Sequence, residues 1–98
     1  MVFTAQELEL SKWIMENKKR VEVLLKLSKS EKYFNELCIG SGSRSQVANA
    51  LDGLLKKGII GFEWTMVENK EKNPGKFGAV KMFHIKAEYL EVIKKLNL

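Results

Sequence analysis

SGSRSQVANALDGLLKKGII, residues 41–60, contains a turn, a capped helix, a glycine stop and the start of a strand. Gln46 follows Ser43 by three residues, the spacing at which the serine hydroxyl caps the first turn and the amide side chain reaches back to the Ser43 N–H. At about 100° per residue, Val47, Ala50, Leu51 and Leu54 form one apolar stripe, widened by Ala48 and Leu55. The opposite face collects Ser45, Gln46, Asn49, Asp52, Gly53 and Lys56. Gly58, directly after Lys56 and Lys57, suits a left-handed stop with cations at the negative end of the helix dipole. The polar face is amide-bearing rather than uniformly charged, and amides can donate and accept toward base edges in a major groove. On an isolated helix the same face reads first as an ordinary solvated one, and the flanking sequence is what shifts that reading.

Upstream, Thr4 and Glu7 form a second capping box, predicting a helix from about Ala5. Its apolar residues fall on two arcs, Leu10, Trp13 and Ile14 on one and Leu8 and Met15 on the other. Such a helix needs two surfaces to bury against, its own core and a partner subunit. Asn17 with Lys18 and Lys19 reads as an end or kink. A second helix from about Lys18 to Ser28 is apolar on both sides (Val21, Leu24 and Leu25; Val23 and Leu27) and belongs in the middle of a fold. Ser30 is a cap for a short helix through Cys38, with Tyr33, Phe34, Leu37 and Cys38 on its buried side. Ile39–Gly42 then turns into the opening helix. Two short helices joined by a glycine-bearing turn, the second with a polar face, have the form of a helix-turn-helix.

Downstream, Ile60, Phe62, Trp64 and Met66 alternate with Gly61, Glu63, Thr65 and Val67, a strand period. NKEKNPGKFG, residues 69–78, holds the only proline and is read as a loop. Ala79 to Lys86 alternates again with Phe83 and Ile85 inward, so the two strands make a hairpin with a basic tip. Ala87 to Leu98 closes the chain as a helix with Tyr89, Leu90, Ile93 and Leu96 on one side.

The 98 residues make a single domain, and 45% hydrophobic with 30% charged residues is a folded composition. No apolar run reaches a membrane span of roughly 18 residues and no signal-peptide pattern opens the chain, so a cytoplasmic protein without membrane contact is expected. The net charge of +5 is uneven. Residues 17–58 carry nine basic and four acidic residues, whereas residues 1–16 carry one lysine and three acids. Basic charge gathered around the polar helix fits a polyanionic partner better than net charge alone does.

No nucleophile motif, phosphate-cradling loop or metal-spaced cluster occurs, so neither catalysis nor a cofactor or metal is expected. His84, the single histidine, falls on the outer face of its strand. Cys38, the single cysteine, lies on the apolar side of a short helix, either as an inert buried thiol or in an interchain disulfide. Gly53, costly in mid-helix, fits either close packing or close approach of a sugar-phosphate backbone. Asp52 would repel phosphate and has Lys56 one turn on as its partner.

KKRVEVLLKL (18–27), YFNEL (33–37), residues 41–60 and KMFHIKAEYL (81–90) in this order resemble a winged helix-turn-helix transcriptional regulator over roughly residues 17–86. The chain is similar to small dimeric repressors of the arsenical-repressor, MarR and HxlR types, and to comparable proteins of archaeal viruses. Glu36-Leu37-Cys38 resembles a metal-sensing motif of the first group, but Gly40 stands where that motif has its second cysteine. The resemblance implies an α+β fold with a two- or three-stranded hairpin wing and dimerising N- and C-terminal helices. It implies double-stranded DNA as the partner, with Ser43, Arg44, Ser45, Gln46, Asn49, Gly53 and Lys56 on the recognition helix and Lys70, Lys72 and Lys76 on the wing. A homodimer would form through Leu10, Trp13, Ile14, Tyr89, Leu90, Ile93 and Leu96. The alternative is a winged-helix module that contacts protein within a larger assembly.

Overall fold

Capping chemistry sets three of the helix starts. In the computed structural model, which describes residues 2–68 and 74–98, the chain forms α1 (Ala5–Met15), α2 (Lys18–Lys29), α3 (Phe34–Cys38) and α4 (Arg44–Lys56). Strands β1 (Ile60–Glu68) and β2 (Phe77–Ile85) come next, then a 3-10 turn (Ala87–Tyr89) and α5 (Leu90–Leu96). Thr4 and Glu7 make the reciprocal box: Thr4 Oγ1 accepts from the Glu7 amide at 3.1 Å and Glu7 Oε1 from the Thr4 amide at 2.9 Å. Asn17 sits in extended conformation between α1 and α2, its Oδ1 accepting from the Lys19 amide at 2.9 Å, so the expected break is a cap. Ser43 Oγ accepts from the Gln46 amide at 3.3 Å, but this cap is one-sided.

The α4 stop is a Schellman motif. Gly58 adopts φ +76°, its amide bonds the Leu55 carbonyl at 3.0 Å, and the Ile59 amide bonds that of Leu54 at 3.1 Å. Positive φ at Gly40 and Gly42 likewise shapes the turn into α4. Two lysines of α2 satisfy the carbonyls left open there. Lys26 Nζ donates to Leu37 O at 2.9 Å and Ile39 O at 2.7 Å, and Lys19 Nζ donates to Ser41 O.

α3 starts four residues later than its expected cap at Ser30. Lys32 is extended and pairs with Phe83, Lys32 N donating to Phe83 O at 3.2 Å and Phe83 N to Lys32 O at 2.8 Å. A strand-like bridge to β2 thus replaces the first helical turn. β1 and β2 are antiparallel, in register from Ile60↔Ile85 to Glu68↔Phe77, so Phe77 and Gly78, expected in the loop, belong to β2. Ile60, Phe83 and Ile85 enter the core at the base of this hairpin. The order of helices and hairpin is compatible with a winged-helix-like layout.

The core is centred on α2, whose Val23, Leu24 and Leu27 meet Ile14, Leu37, Val47, Leu51, Leu54 and Ile59. Each fully buried side chain of this size contributes about 1.5–3 kcal/mol of transfer free energy. The expected C-terminal helix differs in phase. It opens with a 3-10 turn, and the side it buries is centred on Val92 and Ile93, leaving Leu90 exposed. α5 docks on α1, where Lys95 Nζ lies 3.0 Å from Glu7 Oε2.

The Glu7 carboxyl is held below the ordinary carboxylate range, first by the Thr4 backbone N–H and then by Lys95. A depressed folded-state value adds stability above the unfolded-state value, and that contribution disappears as pH falls through the folded one. Glu7→Gln should therefore lower Tm near neutral pH and flatten the decline of Tm on acidification, as followed by circular dichroism between neutral pH and pH about 3. An unchanged acid limb would show that the carboxylate does not couple α1 to α5.

Candidate nucleic-acid interface

α4 is covered behind by α2, and its outer surface is what the apolar stripe leaves. Arg44, Ser45, Gln46, Asn49, Asp52 and Lys56 are exposed. Ser43 is half-buried, and its hydroxyl is already engaged, capping the helix and lying 3.2 Å from Ser45 Oγ. Arg44 turns back onto α3, donating to Asn35 Oδ1 at 2.9 Å with its guanidinium 4.9 Å from the Phe34 ring centroid. Lys56 and Asp52 pair at 2.9 Å in full solvent, an exposed i,i+4 bridge that contributes little stability and locally neutralises both charges.

Gln46 and Asn49 stand one turn apart and line an open depression of about 370 Å³ together with Asn17, Lys18, Lys19 and Glu22. The α2 N-terminus is thus beside the amide pair, which places Lys18 in the candidate surface. Sequence reasoning missed it, although the Lys18-Lys19-Arg20 run next to an asparagine cap was a usable signal.

Gly53 does not face outward as a DNA contact. A Cβ built there would lie 3.5 Å from Trp13 Cζ2 and 3.6 Å from Cη2, so the indole covers it. Arg20 completes this cluster, its guanidinium 3.8 Å from the Trp13 ring centroid and its Nη1 donating to Trp13 O at 2.7 Å. Lys57 Nζ approaches the same ring at 5.2 Å.

Two residues expected at a dimer interface are instead internal. Ile14 and Ile93 are only 0% and 4% exposed, both in the chain's own core. Their stripes fill the intrachain space between α1, α2 and α5, so neither can meet a partner in this arrangement. Trp13 is half-buried under its cations, and Leu10, Tyr89 and Leu96 are half-buried against the core. Leu90 remains exposed, as do Leu8 and Met15 on the second arc of α1.

On the hairpin, Lys76 is exposed, while Lys70 and Lys72 lie outside the described residues. His84 is half-buried against its cross-strand partner Gly61, where a Cβ would come within 3.3 Å of Nε2. Cys38 is a free, half-buried thiol packed on the core. Among the described residues no group of three His, Cys, Asp or Glu side chains is placed to hold a metal, and no helix is long and apolar enough to cross a membrane. An open cleft of about 460 Å³ lies between α1 and the segment around Tyr89. Its lining includes Glu7, Glu9, Glu88 and Glu91, which disfavour a phosphate backbone there.

Compared with family models, curated proteins and solved structures, the chain matches none of them.

Because the space over Gly53 is at ordinary van der Waals contact, Gly53→Ala should fit under Trp13 and raise stability by up to about 1 kcal/mol in urea denaturation. A loss of stability instead would mean that the added methyl disturbs the packing of Trp13 over the helix.

Proposed function

We propose that the chain is a winged helix-turn-helix transcriptional regulator that binds double-stranded DNA sequence-specifically as a homodimer, without catalysis. The observation that carries this reading is the exposed Gln46–Asn49 amide pair on α4, beside the exposed Lys18 of α2. An amide side chain can donate to and accept from one adenine edge in the major groove, and a lysine alongside supplies phosphate attraction. In this reading α4 enters the major groove, Ser45 and Lys56 flank the amides, and the hairpin with Lys76 runs along the neighbouring backbone or minor groove. Arg44 contributes only after leaving Asn35. The exposed apolar side chains Leu8, Met15 and Leu90 supply the contact between protomers, and two-fold pairing presents two recognition helices to a palindromic site.

Gln46→Ala or Asn49→Ala should cost on the order of 1–3 kcal/mol on a duplex selected from a random pool, and little on a scrambled one. Lys76→Ala should weaken both duplexes alike and reduce the salt slope by about one. Competition binding at two salt concentrations checks both. Equal losses on the two duplexes from the amide variants would mean that α4 holds DNA without reading it. No loss at all would turn the reading toward a protein partner for α4.

Light scattering should report twice the 11.2 kDa chain mass. Leu8→Glu combined with Met15→Glu should yield a folded monomer with weakened DNA affinity, since two half-sites no longer engage together. Wild-type protein that is monomeric at micromolar concentration would remove the dimer from the proposal.

A further inference from the structure

The β1–β2 hairpin has one face more apolar than an exposed ribbon requires. Directly paired residues of an antiparallel ladder share a face, so Phe62, Trp64 and Met66 lie on the same side as Phe83, Lys81, Ala79 and Phe77. At the base this row is buried in the core. Further out Phe62 is 38%, Trp64 66%, Met66 61% and Phe77 59% exposed. The ladder would be equally well hydrogen-bonded with polar side chains at these outer positions. A contiguous apolar row of this kind marks a contact surface.

Its chemistry narrows the occupant. Trp64↔Lys81 is the middle rung of the ladder, and Lys81 Nζ lies 4.7 Å from the Phe62 ring centroid and 5.6 Å from that of Trp64. Lys76 adjoins the outer end of the hairpin. Glu68 is the carboxylate on this face among the described residues, and its Oε1 accepts from the Gly75 amide at 2.8 Å. Aromatic rings with a cation between them and no carboxylate at the centre suit bases, which stack, linked by phosphates, which need a positive partner. A second copy of the chain suits it poorly. Two-fold stacking of this face on itself would bring two Lys81 ammoniums together within an apolar contact, where neither has a carboxylate.

We propose that the Phe62–Trp64–Met66 face of the hairpin is a stacking platform for unpaired bases of single-stranded DNA, with Lys81 and Lys76 meeting the phosphates. The choice of DNA over RNA rests on the function proposed above; the platform itself does not. Trp64 stacks a base on its open indole face, Phe62 and Phe77 extend the row, and the surface is tolerant of sequence because every base has a π-face.

Trp64 also provides the readout. The chain has two tryptophans, and Trp13 is already covered by Arg20. Titrating the full chain with oligo-dT at low salt should quench tryptophan fluorescence. Trp64→Phe should lose the quench while still binding labelled oligo-dT by anisotropy. Trp64→Ala should weaken oligo-dT binding by about 5- to 150-fold and leave selected-duplex affinity within about twofold. Gln46→Ala should do the reverse, so failure of duplex reading and failure of the platform are separable. Quenching by oligo-dT without any duplex binding leaves the platform standing alone. Absence of quenching, or oligo-dT affinity unaffected by Trp64→Ala, overturns it. Tighter binding of oligo-U than of oligo-dT overturns the assignment to DNA. A dimer that Trp64→Ala dissociates, with oligo-dT affinity unchanged, assigns the face to a second copy.

Discussion

Lys19 and Lys26 of α2 reach across to the carbonyls of Leu37, Ile39 and Ser41, and the position of α4 depends on those bonds. A five-residue helix such as α3 has no internal partners for its last carbonyls, and the turn after it uses two left-handed glycines. Ammonium donors close those carbonyls with charge-assisted bonds, each stronger than a neutral one. The apolar side of the same α2 helix packs Val23, Leu24 and Leu27 beneath α4. One helix thus supplies both the floor under the polar helix and the anchors for the turn that aims it. That explains why α2 is apolar on two sides and basic where it reaches the surface.

The concentration of basic residues between positions 17 and 58 therefore has two origins. Lys19, Arg20 and Lys26 bind backbone carbonyls and aromatic carbon within the fold. Lys18, Lys56 and Lys57 are exposed, and only charges of this kind are available to a polyanion. Acidic residues gather around the cleft of α1 and the C-terminal segment, which Lys57 also lines. The positive charge open to a partner is smaller than a count along the chain implies, because Lys19, Arg20 and Lys26 are turned inward onto carbonyls, and Lys19 and Lys56 are paired with Glu22 and Asp52.

The hairpin is anchored at its base by Ile60, Phe83 and Ile85 and beside it by the Lys32–Phe83 bridge. A two-stranded ribbon has little stability of its own, so these anchors are what hold it out from the helices. The molecule is accordingly elongated, 49 × 26 × 21 Å. Its outer residues lie beyond the core, so packing within the chain does not account for the exposed apolar row around Trp64.

Whatever depends on residues within a turn or two of each other was readable from the sequence alone. The Ser43 cap, the Val47–Leu54 stripe, the Gly58 stop and the strand alternation around Phe83 all arise from local sterics and period, and the exposure of Gln46, Asn49 and Lys56 is the complement of the stripe. Tertiary contact decided the rest. Gly53 lies under Trp13 because the indole of α1 reaches over α4 there, a contact between residues 40 positions apart that no helical wheel contains. Ile14 and Ile93 fill the chain's own core because α5 folds back onto α1, which periodicity cannot distinguish from a face awaiting a partner. α3 begins late because β2 offers Lys32 a pair of backbone bonds, and α5, docked on α1, buries Val92 and Ile93 while leaving Leu90 exposed. An apolar stripe specifies that a residue will be covered; only the folded chain specifies by what.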